Sequence, residues 1–145
     1  LGYAARVAET GLDQLVLSSL AGPFGLVAGA GEPVAEGAVR PLFHVVQALA
    51  QLSGAAYVPI ETGRADTVAA LGARAKDGVV VMLANLMPAP VTVDCSNLVG
   101  ISSEQANVLD AQSIGSGNGF RRVAMRDGKL ELAAYAVARL GSVYE

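Results

Sequence analysis

Residues 78–86 read GVVVMLANL, and this stretch constrains the fold more than any other. Val79, Val80, Val81, Met82 and Leu83 follow one another without a polar interruption, so a strand formed there has no wet face and must be covered on both sides. The pattern predicts a central strand, with the chain after Ala55 built as sheet around it.

A chain of 145 residues can bury one core, which allows one domain, or one small domain plus a piece of another. Ten basic against 13 acidic side chains give a net charge of -3, with only Arg121 and Arg122 adjacent, and that balance excludes a nucleic-acid or anionic-lipid surface. Hydrophobic residues make up 52% and charged residues 16%, an apolar balance for so small a domain. Part of that apolar surface is expected to meet another chain or further sequence. No membrane span accounts for it, because the most apolar region, residues 15–31, is broken by Ser18, Ser19, Gly22, Pro23, Gly25 and Gly29. The N-terminus has no signal-peptide order and no initiator Met, so the sequence is expected to begin inside a larger protein. Cys95 and His44 are the sole cysteine and histidine, which rules out an internal disulfide and a usual zinc shell. Neither a metal nor a cofactor is expected, and cytoplasm is the default compartment.

In chain order, residues 2–10 suggest the tail of an amphipathic helix ending at Gly11. Leu15, Val16 and Leu17 suit a short buried parallel strand, and a long Gly- and Pro-rich loop follows. A helix over residues 41–52 has Pro41 in its first turn and stops at Ser53 and Gly54. Leu42, Val45, Val46, Leu49 and Leu52 repeat at helical spacing, which leaves His44 with Gln47 and Gln51 on the wetter face. From Ala55 the period becomes two. Strands are expected at residues 57–61, 67–75, 78–86 and 91–95, then 105–111, 120–126, 129–132 and 133–140, with Asp77-Gly78 and Asp127-Gly128 as hairpin turns. Seven or eight short antiparallel strands make a β-sandwich of about 85 residues.

Chemical motifs are scarce. Gly29-Ala30-Gly31 lacks the third glycine of a dinucleotide fingerprint, and Gly115-Ser116-Gly117 follows Ile114 where a nucleophile elbow needs glycine. Cys95 alternates with Val91 and Val93, the pattern of a small core residue. Asp66, Asp77, Asp94, Asp110 and Asp127 fall at strand ends or turns, where solvated capping with no paired partner is the expectation.

The segments LVLSSLAGPFGL, RPLFHVVQALAQLSG, GVVVMLANL, PVTVDCS and AAYAVARL together resemble the C-terminal part of D-apionate lactonase-like proteins, which are similar to clan A glycosidase barrels carrying a C-terminal β-sandwich. Ala133 and Ala134 stand where that family tends to read Pro-Pro before Tyr-Ala-Val-Ala-Arg. The resemblance implies a mainly β chain, an antiparallel β-sandwich preceded by a βα remnant of a (β/α)8 barrel. Residues 1–54 would be its final helix, strand and helix, and residues 55–145 the sandwich. Catalytic acids of such barrels come from the fourth and seventh strands, so none is expected in this chain. What remains is the rim after the one barrel strand, where Ser18, Ser19 and Phe24 are the candidate residues for binding a sugar acid or sugar lactone. The alternative for the serines is that they simply end a buried strand.

Two functions follow. The chain is the non-catalytic C-terminal portion of a carbohydrate-acting hydrolase, partnered by the rest of the barrel. Alternatively it is a stand-alone sandwich for subunit association, with a second copy as partner, or for carbohydrate binding, which the absence of Trp disfavours.

Overall fold

The computed structural model describes residues 1–76, 78–102, 104–115 and 119–141. The Asp77 half of the first expected turn and most of the Gly115-Ser116-Gly117 and Asn118-Gly119 loop lie outside these residues. The chain forms two compact units, one of Leu1–Leu12 with Gly54–Glu145 and one of Asp13–Ser53.

The larger unit opens with helix α1 (Gly2–Val7) and a 3-10 turn over Ala8–Thr10, closed by Gly11 at φ 72°. That left-handed position is the reason a glycine ends the helix. α1 packs on the strand Val68–Ala75, and Ala4 is its buried residue. The sheet strands of this unit are β3 (Ala56–Val58), β4 (Val68–Ala75), β5 (Gly78–Asn85), β6 (Val91–Asp94), β7 (Gln105–Leu109), β8 (Arg121–Ala124), β9 (Lys129–Leu132) and β10 (Val137–Leu140). Six pair antiparallel in the order β3-β4-β5-β10-β7-β8, while β6 and β9 form a separate two-stranded sheet. β5 pairs with β4 along its whole length and with β10 on its other side, and Val80, Val81 and Met82 have no exposed surface. The apolar run is therefore the central, doubly covered strand that its composition requires.

The core lies between the two sheets. Val81 and Leu83 of β5, Ala106 and Val108 of β7 and Ala138 and Leu140 of β10 face Leu130 and Leu132 of β9 and Cys95. Two loops at one end are pinned by a single buried side chain. Asn85 donates from Nδ2 to the carbonyls of Ala89 (2.8 Å), Leu132 (3.2 Å) and Ala133 (2.8 Å), and its Oδ1 accepts the Met87 N–H at 2.9 Å.

Three features of this unit differ from the sequence reading. The strand expected over residues 133–140 begins only at Val137, because Ala133 and Ala136 close a turn with Tyr135 at φ 57°. The Asp127-Gly128 turn is present, with both residues at positive φ (50° and 71°), but only Arg126 and Lys129 pair across it. β8 extends the large sheet through β7, whereas β9 pairs with β6, so the turn is a corner between sheets and not the tip of a hairpin. A helix, α3 (Ala111–Gly115), also begins where a strand was expected to end, because Asp110 and Ser113 bond each other's main chain in a reciprocal cap.

The smaller unit carries β1 (Ser19–Ala21), β2 (Gly25–Val27) and α2 (Pro41–Ala50). Residues 15–17 form no strand. Val16 is 75% exposed, and the extended segment begins only at Ser19, whose strand pairs in parallel with β2. A buried parallel strand is held by hydrogen-bonded neighbours on both sides, and among the described residues none pairs with residues 15–17. β1 and β2 are linked by three residues, far short of a parallel crossover, so the chain coils tightly there. A Cβ on Gly25 would lie 2.5 Å from the Ala21 carbonyl carbon, which restricts that position to glycine. α2 starts as expected, with Pro41 in its first turn behind an extended Arg40, and buries Val45 and Ala48.

Candidate functional site

The three residues singled out from the sequence lie in one turn of the smaller unit. The Ser18 hydroxyl donates to the Phe24 carbonyl, and Ser19 Oγ donates to the Ala21 carbonyl at 3.2 Å. Both hydroxyl protons are thereby committed to the main chain, while the oxygen lone pairs stay free to accept a donor. The Phe24 ring is 87% exposed. An exposed aromatic ring can stack on a sugar ring, and serine oxygens with free lone pairs can accept from its hydroxyls.

This turn leads into a fastened loop. Leu26 and Ala28 exchange main-chain bonds with Arg40, Ala38 and Gly37, at 2.9 Å each. Within it Arg40 Nη2 donates to Glu32 Oε2, and Glu32 Oε1 accepts the Gly29 N–H at 2.7 Å. The Arg40 Nε is buried with no hydrogen-bond partner among the described residues. The Glu32 and Arg40 pair was not legible in the sequence, where seven residues of loop lie between the two. Its only signal was the Arg-Pro step that opens α2.

In the larger unit the expectation that no aspartate is paired fails at Asp110. Its Oδ2 lies 2.6 Å from Arg121 Nη2, and the residue is only 8% exposed. The Arg121 guanidinium, aided by Ser113, holds the carboxyl below the usual carboxylate range against the opposing effect of burial. β7 and β8 lie side by side, which brings together two residues the sequence keeps eleven apart. Asp94 is solvated as expected and caps its own turn through the Ser96 N–H (3.0 Å) and hydroxyl (2.6 Å), which lower its carboxyl. Cys95 is buried, and desolvation with the nearby Asp94 charge pushes its thiol up, the opposite of an activated nucleophile. His44 is half-buried, with its ring set edge-on to Phe43 at 5.6 Å. Among the described residues no three His, Cys, Asp or Glu side chains gather where they would hold a metal ion. No helix among them is long and apolar enough to cross a membrane.

Comparison with known sequences decides the family. Residues 65–140 match the family model described as D-apionate lactonase, C-terminal immunoglobulin-like domain, and residues 1–54 match the one described as D-apionate lactonase, TIM barrel domain. The chain belongs to the D-apionate lactonase family. A D-apionate lactonase of Brucella anthropi is 38% identical over 102 residues, which are 70% of this chain and 16% of that protein. This family member thus spans about a sixth of the length of its curated relative. Among solved structures, the glycoside hydrolase family 30 subfamily 8 xylanase Xyn30A of Clostridium acetobutylicum matches 82% of this chain and 30% of its own, with a TM-score of 0.56 and 15% identity. At that identity the likeness is one of fold. In the D-apionate lactonase family, then, the sandwich described here is the immunoglobulin-like domain, and the segment with the Ser18–Phe24 turn belongs to the barrel.

Proposed function

We propose that this chain is the C-terminal portion of a sugar-lactone hydrolase, with residues 1–54 ending its barrel and residues 55–145 forming a non-catalytic accessory sandwich. The observation that carries the reading is the order of the two family matches, barrel then immunoglobulin-like domain, within one chain. The chemistry agrees with it. Cys95 is held as a thiol, and the Phe24 and serine turn is suited to a carbohydrate.

In this reading Phe24 stacks on the substrate ring while Ser18 and Ser19 accept its hydroxyls, at the rim of a pocket whose reacting groups come from the rest of the barrel. The substrate class is a sugar acid lactone, and a lone cysteine without a disulfide suits a cytoplasmic setting. The test is hydrolysis of D-apionate lactone followed by pH-stat with the full-length protein. Phe24→Ala is expected to raise KM several-fold with little change in kcat. Lactone hydrolysis by residues 1–145 alone would refute the division of labour, and an unaltered KM in Phe24→Ala would remove the turn from the site.

A further inference from the structure

The turn that carries Phe24 is held from within its own unit. Gly25 N–H donates to the Gly22 carbonyl at 2.8 Å, so residues 22–25 close a β-turn with Pro23 and Phe24 at its corner. With the Phe24 ring 87% exposed, almost no packing fixes its direction, and the main chain of the turn has to do so. Gly29 lies against that main chain. A Cβ on Gly29 would stand 3.3 Å from both the N and the Cα of Gly22, so the two segments touch with no space for a side chain between them.

Gly29 is held in place by one carboxylate. Its N–H donates to Glu32 Oε1 at 2.7 Å, while Glu32 Oε2 accepts from Arg40 Nη2. The Glu32 side chain is only 12% exposed, so both bonds are shielded from water. Arg40 caps the start of α2, and its own N–H donates to the Leu26 carbonyl at 2.9 Å. A line of contacts therefore runs from α2 through Arg40, Glu32 and Gly29 to Gly22, at the foot of the Phe24 turn.

We propose that Glu32 is a positioning residue for the substrate rim: braced by Arg40, it keeps Gly29 against Gly22 and thereby sets the angle at which the Phe24 ring is presented. Its two oxygens are taken up by Gly29 and Arg40, so it acts through the turn and not on the sugar. A ring held in place before the substrate arrives loses less freedom on stacking, which is felt in KM and not in kcat. The proposal rests on the reading of the Phe24 turn as part of a sugar-lactone site.

Kinetics of lactone hydrolysis and amide hydrogen exchange on the full-length protein test it together. Glu32→Gln keeps the shape of the side chain, but with its one amide oxygen on either donor its NH2 meets the other. It is expected to raise KM about three- to tenfold at unchanged kcat and to speed exchange of the Gly25 amide at least about tenfold. Gly29→Ala leaves the ion pair in place, at a negative φ that alanine accepts, yet presses on Gly22, and is expected to do both as well. Glu36→Gln removes the same charge from an exposed position in the same loop and is expected to do neither. In a Phe24→Ala background, Glu32→Gln should raise KM no further, because its effect passes through the ring. Wild-type Gly25 exchange in both Glu32→Gln and Gly29→Ala would overturn the proposal. So would effects of Phe24→Ala and Glu32→Gln on KM that multiply, which would put Glu32 on the substrate itself. An unaltered KM in Phe24→Ala faults the rim and not the brace, which Gly25 exchange then decides alone.

Discussion

Replacing Asn85 by aspartate isolates what holds one end of the sandwich together. The substitution is isosteric, so packing is unchanged, but an oxygen now stands where Nδ2 faced the carbonyls of Ala89, Leu132 and Ala133 at 2.8 to 3.2 Å. Ionised, that oxygen meets three acceptors in a site only 2% exposed, so the folded state raises the carboxyl's affinity for its proton. Protonated, the acid can donate a single hydrogen bond, and the loss relative to asparagine is roughly 1–2 kcal/mol. The sign follows from linkage. The unfolded carboxyl ionises near 3.9, the folded one at a higher pH, so below about pH 4 only the small loss is felt. Above it, each pH unit adds about 1.4 kcal/mol until the folded acid itself ionises, with an upper bound of about 4 kcal/mol more at pH 7. Urea unfolding of wild type, Asn85→Asp and Asn85→Ala at pH 4 and pH 7 measures this. The penalty of the aspartate variant should grow steeply with pH, and that of the alanine variant should not. A pH-independent penalty for Asn85→Asp would show that the three carbonyls do not enclose the side chain as described.

Other outcomes follow from the same structure. Leu132→Ala empties a fully buried position between the sheets and should cost about 3–4 kcal/mol in the same unfolding assay, whereas Leu42→Ala, at 37% exposure, should cost under about 1 kcal/mol. The Asp110 carboxyl is depressed in the folded state, so it adds stability that is complete above the unfolded value and is lost as pH falls through the folded one. Arg121→Ala should therefore flatten the acid side of the stability curve below the unfolded carboxyl's value of about 3.9, as urea midpoints on either side of it would reveal. Gly25→Ala places a methyl 2.5 Å from the Ala21 backbone and should open the Ser18–Phe24 turn, seen as faster limited proteolysis there with the sandwich signals in near-ultraviolet dichroism unchanged.

Much of this molecule was written in its local patterns. The uninterrupted run in β5 demanded cover on two sides, and the alternation of Val91, Val93 and Cys95 with Thr92 and Asp94 set one wet and one dry face. Gly11, Pro41 and the Asp127-Gly128 pair marked a helix end, a helix start and a turn, because each concerns the backbone preference of one or two residues. At the candidate site the sequence identified the Ser18, Ser19 and Phe24 turn but not the Glu32 and Arg40 pair beside it.

Partnership was decided only in three dimensions. Nothing in the periodicity of residues 121–124 and 129–132 tells β8 to join β7 and β9 to join β6, since either pairing buries the same alternating face. β10 inserts between β5 and β7 although more than twenty residues separate it from either, and that insertion lets Asn85 reach Leu132 and Ala133. Asp110 meets Arg121 for the same reason. The apolar run at residues 15–17 shows the converse, where apolar composition was present but, among the described residues, no neighbouring strand held it and Val16 stays exposed. A side chain's polarity determines which way it faces, whereas its partner is chosen by how the whole chain closes its hydrogen bonds at once.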